Sequence, residues 1–167
     1  MPASDAPGIP RCTATALALV AAFLATGCGS LDHPGSAAPQ PVPFTVLSSG
    51  GGAGLDLPAQ TRVLSSVAAV RRALPLAVAA EGLGEVDFHR HRVVLVSFGT
   101  RPSGGYRLRV ESVQQADDRV VVHVTEERPG ASCMAAAVLT NPWVLLRIPV
   151  ADTPVRVARR TRTVPCD

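Results

Sequence analysis

Residues 93–106 read V-V-L-V-S-F-G-T-R-P-S-G-G-Y, an unbroken apolar run that ends in a turn rich in glycine and proline. The run is too short for an unsupported helix, is rich in β-branched residues and stops at Gly99. It therefore predicts a strand buried on both faces, and hence central in its sheet. In R-P-S-G, Pro102 presets φ at the second position of a turn, and Gly104 stands where a type I turn favours glycine. Gly105 adds a second residue free to take a positive φ. The turn is expected to need both glycines, with at least one at positive φ.

Downstream, Tyr106, Leu108 and Val110 fall on one face of an alternating strand and Arg107, Arg109 and Glu111 on the other. Asp117 and Asp118 mark a reversal, after which Val120, Val122 and Val124 alternate inward. The two strands form an antiparallel hairpin that sets Arg107 opposite Glu127 near its open end. Arg128, Pro129 and Gly130 make the next turn, residues 143–150 (W-V-L-L-R-I-P-V) a further strand, and residues 155–157 a last short one.

Upstream, residues 44–48 read as a first strand and residues 49–54 (S-G-G-G-A-G) as a flexible loop. A phosphate-cradling loop needs a helix N-terminus directly after it and a lysine within reach, and this chain has no lysine. Ser65 is the expected N-cap of a short helix with Val67, Val70 and Leu74 on one face and Arg71 and Arg72 pointing away. Pro75 ends that helix. The fold class is α+β: mostly antiparallel β-sheet with one short helix packed on it.

The first 27 residues read as an export signal. Arg11 precedes an apolar run over residues 12–25 that is too short to span a bilayer, and A-T-G-C closes it at Cys28. This resembles a bacterial lipobox, which makes Cys28 the acylated N-terminus of a lipid-anchored envelope protein. The alternative is an ordinary secretory signal with Cys28 incidental. Residues 28–43, rich in Pro, Gly and Ser, lack the apolar area to offset the entropy of ordering and read as a tether, which leaves residues 44–167 as the domain.

The net charge of +3 is wholly arginine. The arginines are spread along the chain with one Tyr and one Trp, which argues against a nucleic-acid partner and for a compositional bias. Asp87, His89 and His91 form D-x-H-x-H, whose histidines would project to one side of a strand and begin a metal site. His123 or scattered carboxylates would have to complete it, and Arg90 and Arg92 repel a cation. A polar entry to the strand is the competing reading. No G-x-S-x-G occurs, and no motif brings a histidine to Ser103, so no catalytic residue is assigned and no cofactor or metal is expected. Of four cysteines, Cys12 leaves with the signal and Cys28 is acylated. Cys133 and Cys166 remain in an exported chain and are expected to pair, with two free thiols or an intermolecular bridge as alternatives.

Taken together, G-T-R-P-S-G-G-Y (99–106), the following R-L-R-V-E-S-V and L-T-N-P-W-V-L-L-R-I-P (139–149) resemble the PrcB-type protease-complex subunit family over roughly residues 86–157. Where that family usually has a polar residue before the L-T-x-P segment, this chain has A-A-A-V at 135–138. The resemblance implies a small secreted or lipid-anchored α+β module, and it carries a fold more securely than an activity. The expected function is non-enzymatic: binding another envelope protein, a protease among the candidates, or assembling with it. The contact surface is expected at Arg101, Pro102, Ser103, Gly104, Gly105 and Tyr106 together with Asn141, Pro142 and Trp143, where an aromatic beside an arginine makes an interface anchor; the competing reading for Tyr106 and Trp143 is plain core packing. The alternatives are a peptidase inhibitor that presents the turn and a Trp loop, similar in kind to chagasin-like cysteine-protease inhibitors, or a small metal-dependent envelope hydrolase built on Asp87, His89 and His91.

Overall fold

Eight strands and one α-helix make up the described part of the chain, which in this computed structural model comprises residues 38–52, 56–74 and 83–166. The strands are β1 (Gln40–Pro41), β2 (Thr45–Gly50), β3 (Ala59–Leu64), β4 (His91–Phe98), β5 (Arg107–Ala116), β6 (Arg119–Pro129), β7 (Trp143–Pro149) and β8 (Val155–Val164). Helix α1 (Val67–Ala73) lies between β3 and β4, and Leu83–Glu85 forms a 3-10 turn. The strands make two four-stranded sheets, the first in the order β1-β5-β6-β8 and the second in the order β2-β7-β4-β3.

The apolar run occupies the place its composition demands. β4 pairs antiparallel with β3 on one side and β7 on the other. Val94 and Val96 point between the sheets, where they meet Val144, Leu146 and Ile148 of β7 and Val113, Val120, Val122 and Val124 of the first sheet. Val93 and Leu95 point the opposite way and pack with Leu145, Trp143 and the Val70 and Leu74 side chains. A fully buried Val or Leu contributes about 1.5–3 kcal/mol, so the two-sided burial of β4 makes it the centre of the fold.

The hairpin forms with Arg107 across from Glu127, as expected. A bulge between Val110 and Ser112 makes Val113, rather than Ser112, the next inward residue. In α1 the N-cap is Ser66, one residue later than expected: its Oγ accepts from the Ala69 amide at 3.1 Å. Val70 and Leu74 are buried and Arg71 and Arg72 exposed, which also sets two cations against the negative end of the helix.

Four expectations change. There are two sheets rather than one, and one strand pair is parallel. β3 (A-Q-T-R-V-L) was not foreseen, because its alternation is weak; it forms by pairing all six residues with β4. The expected tether and Gly-rich loop both lose residues to strands. Gln40 and Pro41 pair with Gln115 and Gln114, and Ser49 and Gly50 belong to β2. Finally, the expected three-residue last strand is β8, ten residues paired in parallel with β6 from Val120↔Val155 to Pro129↔Val164. The parallel pairing follows from the path of the chain: β7 lies in the other sheet and returns it to the end where β6 began.

Candidate functional site

The turn after β4 is fastened along its length. Gly99 turns the chain with φ +76°. Arg101 and Thr140 then exchange backbone hydrogen bonds, 2.7 Å from the Arg101 amide and 3.0 Å from the Thr140 amide. The Thr140 hydroxyl donates to the Ser103 carbonyl at 2.7 Å, and the Gly104 amide to the Ala136 carbonyl at 2.8 Å. Gly105 has φ +85°, and a Cβ there would lie 3.3 Å from Pro129. Gly104 is not at positive φ, and a Cβ on it would meet Ala136 at an ordinary 3.5 Å. The expectation that both glycines are needed is thus corrected to Gly105. Gly105→Ala should cost about 1 kcal/mol or more while Gly104→Ala stays within a few tenths. Paired thermal melts check this, and equal midpoints for the two variants would remove it.

Beneath the turn sits an interior carboxylate. Glu126 follows Val120, Val122 and Val124 in the inward parity of β6, and its side chain is fully buried. Its Oε1 accepts from Arg101 Nε at 2.5 Å; its Oε2 accepts from Arg128 at 2.9 and 3.1 Å and from Arg159 at 2.5 Å. The Arg159 guanidinium also stacks over Phe98, 4.3 Å from the ring centroid. Burial pushes the Glu126 carboxyl up, but the hydrogen bonds from Arg159, Arg101 and Arg128 together outweigh it and hold the group below its ordinary value. The sequence carried the signal for this group: the strand pattern that sends three valines inward sends Glu126 with them.

Asn141, Pro142 and Trp143 take a different role from the expected one, since all three are buried. Asn141 is an internal brace. Its Nδ2 donates to the Leu57 carbonyl at 2.6 Å, and its Oδ1 accepts from the Ser97 hydroxyl at 3.0 Å. The same hydroxyl accepts the Gly99 amide at 3.2 Å, so the brace fixes the start of the turn. Trp143 packs in the core, and the backbone of β2 runs so close that a Cβ on Gly50 would lie 3.2 Å from its indole. The loop is therefore not presented to a partner, which also removes the exposed Trp loop on which the inhibitor alternative relied. Tyr106 is half-buried and lines an open groove of about 480 Å³ with Gly50, Gly51, Arg107 and the edge of Trp143.

At the surface beside the turn lies the segment over residues 134–139, which contains the A-A-A-V run. Met134 is fully exposed, Leu139 is 66% exposed and Val138 45% exposed. These three are half of the large exposed apolar side chains among the described residues, and they fall within six positions. The segment is held at one end by the Thr140–Arg101 bridge and in its middle by Ala136. At its other end Cys133 is joined to Cys166 by a disulfide, with the Cα atoms 5.4 Å apart.

Asp87, His89 and His91 are not gathered into a ligand set. Residues 88–90 are a turn rather than a strand, and the Asp87 carboxylate caps it by accepting the His89 amide at 2.9 Å. His91 Nδ1 lies 3.3 Å from the Asp87 carbonyl, and His123 lies in the other sheet against Gln114. Among the described residues no group of three or more metal-ligating side chains comes together. Cys28, the export signal and most of the tether lie outside the described residues.

Residues 92–149 match the family described as PrcB C-terminal, which confirms the resemblance over the strand, the turn, the hairpin and β7. Comparison with curated proteins and with solved structures gives no match.

Proposed function

We propose that this chain is a non-enzymatic envelope module, lipid-anchored at Cys28, that binds another protein and takes part in a protease complex. The PrcB-type resemblance supports the protease connection, because that family takes its name from a subunit of such a complex. The binding surface is the turn at 101–105 with Met134, Val138 and Leu139 beside it. One observation carries this reading: an exposed apolar segment is laid along a turn that is fixed by backbone, side-chain and disulfide links. Exposed apolar patches mark interaction sites, and a surface ordered before contact loses little entropy on binding. Arg101 and Tyr106 frame the patch, while Asn141, Pro142 and Trp143 support it from within.

Leu139→Asp places a charge in the patch at a side chain that is mostly exposed. In detergent extracts of the native host, the wild-type chain should co-purify with a partner at defined stoichiometry, and the variant should lose it at least tenfold with an unchanged melting temperature. Retention of the partner by Leu139→Asp would remove this surface from the function. For the anchor, the chain should partition into a detergent phase, and Cys28→Ala should move it to the aqueous phase. Identical partitioning of the two would refute acylation.

A further inference from the structure

The arginines, spread along the sequence, are collected by the first sheet. The register places Arg107 and Arg109 of β5, Arg119 of β6, and Arg156, Arg160 and Arg162 of β8 on its outer face, against Glu111 and Glu127. Arg119 pairs with Asp118 at 2.7 Å and Arg162 with Glu127 at 2.5 Å. Arg107, Arg109 and Arg160 are all exposed and make no side-chain hydrogen bond or ion pair among the described residues. They stand in two rows, Arg107–Glu127–Arg162 and Arg109–Thr125–Arg160, about 7 Å apart along each strand and about 10 Å from β5 to β8. The face also carries an open hollow of about 380 Å³ lined by Glu111, Ser112, His123, Thr125 and Arg160.

We propose that this outer face docks the domain flat against an anionic lipid surface, with Arg107, Arg109 and Arg160 meeting headgroup phosphates. Charge complementarity is the first argument. Guanidinium is the side chain best matched to phosphate, and three unpaired ones on a flat face sum their attraction within a Debye length of the surface. The second argument is where the chain enters the domain. β1 pairs at the edge of this same sheet, and the twelve residues from Cys28 to Gln40 reach at most about 40 Å, so a chain anchored at Cys28 keeps the domain close enough for this face to meet the membrane. No phenylalanine, tyrosine or tryptophan lies on the face to stack a base, which turns the choice away from single-stranded nucleic acid. The proposal uses the lipid-anchored reading for its geometry, and the two fail separately in the following experiment.

Purified full-length product is reconstituted with vesicles of phosphatidylcholine alone or with about one-third phosphatidylglycerol, and its arginines are modified with phenylglyoxal and mapped by mass spectrometry. Flotation with phosphatidylcholine vesicles reports the anchor. The expected footprint is at least about fivefold slower modification of Arg107, Arg109 and Arg160 on the anionic vesicles, with Arg62, Arg71 and Arg72 unchanged, and loss of the protection in 1 M salt. Arg156, on the same outer face, should be shielded in the wild type as well; Arg107→Gln, Arg109→Gln and Arg160→Gln together should abolish that shielding, whereas Arg62→Gln, Arg71→Gln and Arg72→Gln, which remove the same charge elsewhere, should keep it. A protein that fails to float on phosphatidylcholine yet shows the footprint refutes the anchor and upholds the face. Equal reactivity at all six positions on both vesicles overturns the face, as does protection by soluble polyglutamate but not by anionic vesicles, which would assign it to an acidic protein.

Discussion

Glu126→Ala is expected to destabilise the domain by about 3–5 kcal/mol, the range for breaking a buried ion pair from one side. The variant leaves three guanidinium groups facing one another where a carboxylate held them. Arg128 and Arg159 are 44% and 41% exposed and can turn to water, so the result belongs at the lower end of that range. Arg101 is 16% exposed and cannot leave without pulling the turn with it. Loss should therefore concentrate in the turn, read as faster hydrogen exchange at the Gly104 amide. Arg128→Gln should cost no more than about 1 kcal/mol, because its pairing is partly solvated. The same group makes the fold acid-sensitive. Its folded-state pKa is depressed, so its stabilisation is fully present above the ordinary value of 4.5 and is lost as pH falls through the folded value. Glu126→Gln should flatten that part of the stability–pH curve. Chemical unfolding between neutral and acidic pH checks both statements, and a wild-type curve no steeper than that of Glu126→Gln would refute the assignment.

The second large effect is expected from the disulfide. Cys133 and Cys166 are 33 residues apart, and closing a loop of that length stabilises by about 3–4 kcal/mol in the chain-entropy model. Cys133→Ala with Cys166→Ala should lower the melting temperature by about 10 °C or more, for a domain of this size. The structure also changes what the bridge is for. The tail is tied down without it: β8 pairs with β6 through Val164, and the Gly130 amide bonds the Val164 carbonyl at 2.9 Å. The bridge acts instead on the segment after Cys133, whose far end is already fixed at Thr140. Removing it should free Met134 and weaken partner binding beyond the loss of stability. Oxidised and reduced proteins that melt together would contradict the stabilising role.

Much of the architecture is legible in local pattern. Six consecutive residues at 93–98 with no polar side but Ser97 must be covered on both faces, and the alternating runs on either side of Asp117 and Asp118 place the hairpin. What escaped depends on pairing between distant segments. β8 breaks its own apolar alternation by sending Arg159 inward, a placement that makes sense only once the Glu126 carboxylate of β6 is within hydrogen-bond reach. The arginine face needs β6 and β8 to run parallel, which no spacing within 155–164 announces. In the candidate site, the turn was visible because glycine and proline constrain the backbone locally. The roles of Asn141 and Trp143 were not, because whether an aromatic loop is presented or packed depends on Leu57 and Gly50, more than eighty positions away.

The most direct test places a photo-crosslinking residue at position 139 in the native host, with a second at Val63, which is 47% exposed but lies on β3, outside the proposed surface. A binding surface at the turn and the 134–139 segment should give one discrete adduct with another envelope protein from position 139 and none from position 63. No adduct from position 139, or the same adducts from both positions, would contradict it.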